Sequence, residues 1–175
     1  MRPKQGFTLL ELMITLAIVA IMLAMAVPSF SLLIHENAIA ASRDDLFRAF
    51  RFARDEASKR AKRVSICAVA NSGTNVCDTS ATQWNNGWMV FVDDATKGVF
   101  DTGDELLIIN RATVSKAVYK VVSASVSKYH VSFTGSGRGE GFELFVCDEN
   151  KAVDGKGFKV YLTGNVQQNN DVNCN

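Results

Sequence analysis

From Phe7 to Val27 the chain runs through 21 residues whose only charge is Glu11 and whose only other polar members are Thr8 and Thr15. As a helix rising 1.5 Å per residue, such a run is roughly 30 Å long, enough to span a bilayer core. Arg2 and Lys4 precede it. Basic flanks stay on the cytoplasmic side, so whatever follows the run should face outward. A secretory signal would share this layout, and Ala24-Met25-Ala26 offers it a small-x-small cleavage site. A plain signal anchor would share it too. Glu11 separates these readings, because an unpaired carboxylate in an apolar span costs about 2.5–3.5 kcal/mol on insertion scales. A disposable signal has no reason to carry one. A retained helix has, provided something pairs with it.

The residues around that carboxylate, Gly6-Phe7-Thr8-Leu9-Leu10-Glu11-Leu12, resemble the prepilin processing motif of type IV pilins and type II secretion pseudopilins, and Pro28 just past the run fits the same pattern. The resemblance implies a leader, residues 1–6, cut after Gly6 by a prepilin peptidase. It also implies N-methylation of Phe7 and retention of residues 7–28 as a transmembrane and assembly helix. The partners implied are other major and minor pilins or pseudopilins and an assembly platform in the inner membrane. The chain would first be a single-pass inner-membrane protein with a periplasmic head, then part of a pilus at the cell surface or of a periplasmic pseudopilus. The charges agree with this. After cleavage Phe7 bears an ammonium, still positive when methylated once, which in a staggered bundle meets the Glu11 carboxylate of a neighbour. Removing one partner of such a buried pair typically costs about 3–5 kcal/mol.

Beyond Pro28, expected to kink or loosen the helix, the residues Ile39, Leu46, Phe50, Ala53 and Ala57 recur at intervals of seven, four, three and four. That is one apolar stripe at helical period, giving an amphipathic stem over residues 29–63. A helix from Phe7 to about Lys62 would be roughly 80 Å long, beyond what a globular domain needs. Arg43 to Arg63 holds eight basic residues against four acids, mostly off the stripe, as a solvated face would. Without Arg2 and Lys4 the chain carries 17 Lys and Arg against 18 acids, a balance that argues against a nucleic-acid partner.

From Val64 the pattern changes to short β-like runs between turn residues: Val64–Ala70, Trp88–Val92, Glu105–Asn110, Val118–Val126, Tyr129–Phe133, Phe142–Cys147 and Phe158–Leu162. Trp88–Val92 and Leu106–Ile109 are continuously apolar, as strands buried on both faces would be. Phe158–Leu162 alternates, as a strand with one wet face does. The fold class expected is therefore α+β, a long N-terminal helix packed on a β-rich, sandwich-like head over residues 64–175. Four cysteines, Cys67, Cys77, Cys147 and Cys174, all lie on the outward side of the apolar run. An even number there argues for two disulfides, since zinc usually brings C-x2-4-C pairs and the nearest two cysteines are ten positions apart. The local arrangement, Cys67–Cys77 and Cys147–Cys174, is expected. Gly73 and Asn75 let the first loop turn back, and Cys174 ends a polar tail with nothing else to hold it.

The head adds Cys67 to Cys77, Trp84-x-x-Gly87-Trp88-x-Val90-Phe91-x-Asp93, Asp104-Glu105-x-Leu107, Gly135-x-Gly137 and Cys147. Together these resemble the GspH/FimT/FimU-type minor pilins and pseudopilins. The resemblance implies a sandwich-like head and a role in priming or capping a filament, in a type IV pilus or in a type II secretion pseudopilus.

No catalytic constellation, metal site or cofactor is expected. His35 falls in the stem and His130 in a strand, with no Cys or Ser motif nearby. Asp93-Asp94, Gly98, Asp101 and Gly103-Asp104-Glu105 would suit calcium by chemistry, but lack EF-hand spacing and read as an acidic loop between strands. The stretch Gly135–Gly141 has neither a GK[ST] ending nor a following helix, so it reads as a glycine loop with Arg138 exposed. DNA capture is the third functional possibility. Competence-type relatives resemble one another in a Gly-Arg-x-Arg stretch near the C-terminus, where this chain reads Gly164-Asn165-Val166-Gln167-Gln168. Phosphate contacts need Lys or Arg, so DNA is not expected as a partner.

Overall fold

The structure is a computed structural model that describes residues 8–71, 73–79, 84–111, 117–125 and 127–174, with the side chains of residues 25–29 and 171 excluded. A single helix, α1 (Leu9–Arg60), leads into eight strands: β1 (Val64–Ala68), β2 (Gly87–Val92), β3 (Glu105–Arg111), β4 (Ala117–Ala124), β5 (His130–Phe133), β6 (Phe142–Asp148), β7 (Gly155–Val160) and β8 (Val166–Val172). They form two four-stranded antiparallel sheets, ordered β3-β2-β1-β5 and β4-β6-β7-β8. The α+β class expected from the sequence is the one observed.

The outer half of α1 forms because its apolar stripe has a core to enter. Ile39, Leu46, Phe50, Ala53 and Ala57 are buried against residues of both sheets, among them Val64, Ile66, Phe142 and Phe158. Phe50 stacks on Phe142 at 5.6 Å, and its ring centre lies 4.8 Å from Phe158 and 5.9 Å from Trp84. The helix ends at Ala61, a left-handed C-cap whose N–H returns to the Ala57 carbonyl. Gly135 lies so close to the Ala61 backbone that a Cβ there would overlap it, so the glycine loop after β5 seals the end of the helix. Arg54 donates to the Gly137 carbonyl of that loop at 3.4 Å. Arg138 is exposed.

The helix runs unbroken through Pro28, although proline removes one N–H from its ladder. Two expectations are corrected. Leu106–Ile109 is not buried on both faces: β3 is an edge strand whose residues are all half-buried or exposed, with Ile108 36% exposed. The C-terminal tail is not held by Cys174 alone, because β8 hydrogen-bonds along β7 from Val166 to Val172. Its interior is Gln167, Gln168, Asn169, Asn170 and Asp171. A polar edge strand shows no hydrophobic period, so nothing in its sequence marked it.

Candidate assembly surface

Thr8 caps α1 in extended conformation, and its hydroxyl accepts the Glu11 N–H at 3.2 Å. That bond places the carboxylate in the first turn, beside the positive end of the helix dipole. Gly6 and Phe7, the expected processing residues, lie outside the described residues. From Leu9 to Leu23 every large apolar side chain is between 48 and 76% exposed, on all sides of the helix. An aqueous surface does not hold such a rod of Leu, Ile and Met. Among the described residues no helix is long and apolar enough to cross a membrane; in the sequence the apolar run continues through residues 25–27.

Exposure of apolar side chains continues past Pro28, with Phe30, Leu32, Leu33 and Ile34 each more than half exposed. The head meets the helix from His35 onward, where Nδ1 of the histidine lies 3.3 Å from Asp148 Oδ1 at the end of β6. Arg43 comes next, on the buried stripe between Ile39 and Leu46 although it is a cation. Only 6% exposed, it donates to Asp44 Oδ1 at 2.6 Å and to Asn170 Oδ1 of β8 at 3.1 Å. Gln168 donates to the same Asp44 oxygen at 3.2 Å. The buried guanidinium is thus satisfied by Asp44 of its own helix and by Asn170 of β8, whose neighbour Gln168 also holds Asp44 in place. Sequence reasoning assigned Arg43 to the wet face and β8 to a tail, and each error hid the other.

The distal end of the stem is tied by charge. Glu56 accepts from Arg60 at 2.7 Å and Lys59 at 3.1 Å, and those hydrogen bonds, Arg60 first, hold its carboxyl below the usual carboxylate value. Arg60 also reaches Glu105 at 2.7 Å, Lys62 reaches Asp94 at 2.8 Å, and Arg63 reaches Asp93 at 2.7 Å. The acidic loop that chemistry alone would offer to calcium is occupied by its own chain. Asp93 accepts from Ser65 and Gly98, Asp101 from the Thr96 N–H, and Asp104 from the Asp94 and Asp101 N–H groups. Among the described residues no group of three or more His, Cys, Asp or Glu side chains is placed to hold a metal. Two disulfides close the head. Cys67–Cys77 lies against Met89 and Phe91, and Cys147–Cys174 joins the end of β6 to the residues after β8.

The prokaryotic N-terminal methylation motif matches residues 1–27, and the family described as type II transport protein GspH matches residues 42–165. The chain belongs to the GspH family. Its fold is similar to the crystal structure of the type IV minor pilin FimU from Pseudomonas aeruginosa strain PAO1, with a TM-score of 0.58 and 16% identity over 78% of this chain and 91% of that one. A second crystal form of that protein gives 0.53 and 18% over 75 and 93%. The minor pseudopilin EpsH of the Vibrio cholerae type 2 secretion system gives 0.53 and 9% over 74 and 94%. Among curated proteins nothing matches. As a GspH-family protein the chain is a minor pilin or pseudopilin, a structural subunit by kind. A fold similar to those of a type IV minor pilin and of a type 2 secretion pseudopilin fits either setting.

Proposed function

We propose that this GspH-family protein is a minor pilin of a type IV pilus, acting at the filament tip or in its priming complex in support of pilus assembly. What carries the reading is α1 itself, half of it packed on the head and half an unpartnered apolar rod with one acid, Glu11, near its start. A head-packed helix needs no such extension. A subunit that waits in the inner membrane with its head in the periplasm, then moves its helix into a filament core, needs it. On this reading a prepilin peptidase cuts after Gly6, Phe7 is methylated, and the new ammonium pairs with Glu11 of a neighbouring subunit. The partners are major and minor pilins and the inner-membrane assembly platform.

A type II secretion pseudopilin is the second reading, favoured by the description of the matching family and by the likeness to EpsH. A strain lacking this gene separates the two. Loss of surface pili with secretion intact supports the first, and loss of secreted protein with pili intact supports the second. Glu11→Leu tests the assembly role in either setting, with processed protein expected in membranes and absent from sheared filaments. Recovery of that variant in filaments at the normal level would sink the Glu11 pairing.

A further inference from the structure

His130 opens β5 beside Cys67 of β1 and is only 7% exposed. Neither of its ring nitrogens has a hydrogen-bond partner. One side of the imidazole is closed by Gly98, in the connection between β2 and β3. There φ is +75°, and a Cβ would overlap the ring carbons, so only glycine lets the backbone approach this closely. The Tyr129 ring lies 5.1 Å from the imidazole.

The turn that carries Gly98 is held around the histidine by carboxylates. The Gly98 N–H donates to Asp93 Oδ2 at 2.7 Å, the Thr96 N–H donates to Asp101 at 3.1 Å, and Arg63 donates to the Ala95 carbonyl at 2.8 Å. Lys97 pairs with Glu140 of the loop after β5, and Glu140 Oε2 accepts the Ser132 N–H at 3.1 Å. The charged groups that act on the imidazole are therefore Glu140 from the β5–β6 loop, Asp93 from the end of β2, and Lys97 from the turn. Arg63, before β1, reaches the same Asp93.

We propose that His130 is an acid-operated latch: as the neutral imidazole it lets the turn of residues 95–99 close over β5, and once protonated it expels that turn. The neutral ring packs as an apolar disc. The imidazolium brings a full charge and a second N–H into a site where neither nitrogen meets an acceptor. Burial pushes the His130 pKa below its ordinary 6.5; Glu140 and Asp93 pull it up and Lys97 pulls it down, and burial prevails. With the closed-state value depressed, closed and open forms are both neutral at high pH and nothing is lost there. Below about pH 6.5 the open form takes up the proton first, so closure weakens by up to about tenfold per pH unit until the closed form also titrates. Because Lys62–Asp94 joins this same β2–β3 connection to the end of α1, and Arg60–Glu105 joins the start of β3 to it, the latch bears on the seam between stem and head.

The test is a pH series on the full chain in detergent micelles, following the His130 imidazole by NMR and the amide-exchange protection factors of residues 95–100 together. The turn should begin to lose protection below about pH 6.5 and level off once His130 itself titrates at a midpoint below that of free histidine, while amides of β1 and β6 hold theirs. His130→Gln, neutral at every pH, should keep turn protection flat from pH 7 to pH 5, and His35→Gln should keep the wild-type fall. Turn protection that stays constant between about pH 6.5 and the His130 midpoint, an equal fall in His130→Gln, or a His130 midpoint at or above that of free histidine would each overturn the latch. Should His130→Gln fail to fold, the order of the two wild-type curves decides alone: protection lost between about pH 6.5 and the His130 midpoint supports the latch, and protection flat over that range overturns it.

Discussion

A phenyl ring and a guanidinium share the buried stripe of α1, and their removal should cost different amounts for different reasons. Phe50 is completely buried between Phe142, Phe158 and Trp84, so Phe50→Ala leaves a cavity that three fixed rings cannot fill. Urea unfolding should show a loss of about 3–5 kcal/mol, and a loss under about 1 kcal/mol would mean the helix does not seal the core. Arg43→Ala removes less volume, and with it the hydrogen bond to the exposed amide of Asn170 in β8, with an expected loss of about 0.5–1.5 kcal/mol and faster amide exchange in that strand. Glu56 gives a pH signature at the same scale. Its carboxyl is held below the ordinary 4.5 by Arg60 and then Lys59, so its stabilising effect is present above that value and disappears as pH falls through the lower folded one. The stability gap between wild type and Glu56→Gln should close as pH drops below about 4.5, and a gap that widens there would contradict the assignment.

At the level of elements, β8 and the second disulfide hold each other. Cys147 and Cys174 are separated by 27 positions, against 10 for Cys67 and Cys77, and Lys120 of β4 donates to the Cys174 carbonyl at 2.6 Å. Cys174→Ser should release the last strand, seen as lost exchange protection in β8 with β1 and β2 unchanged. The chain-entropy estimate for opening a loop of this size is about 3–4 kcal/mol. Peptide mapping of oxidised protein without reductant should recover Cys67 linked to Cys77 and Cys147 to Cys174; any cross-link between the two pairs would refute the framework. These elements also show what a sequence can reveal. The stem was legible because Leu46, Phe50, Ala53 and Ala57 repeat at helical period, and β1, β2 and β6 because apolar runs end at turn residues. The edge position of β3 was not, since Leu106–Ile109 has the composition of a central strand and only pairing decides which strand has a neighbour on each side. Buried Arg43 and polar β8 were illegible for a related reason. Arg43 is buried with one of its partners on β8, β8 is held by its ladder to β7, and a contact across 127 positions leaves no local pattern.

For the whole molecule, the two ends of α1 have opposite needs: from His35 onward its apolar face is covered by its own head, and before that point it is bare. The same division explains why DNA is not an expected partner. The cations of the stem are largely engaged with the chain's own acids, and the stretch Gly164–Gln168 carries no positive charge. Binding of the full chain in micelles to duplex DNA near physiological salt should be no tighter than generic non-specific affinity, roughly 10⁻⁴–10⁻⁶ M. Sub-micromolar binding lost on Arg138→Ala would reverse that. The central claim, that the bare half of α1 is a retained assembly helix rather than a signal or a plain anchor, is tested most directly by the intact mass of the protein taken from its native membranes. The account predicts a chain that lacks Met1–Gly6, begins at Phe7 and carries one added methyl group; a chain beginning at Val27, or one that still begins at Met1, would contradict it.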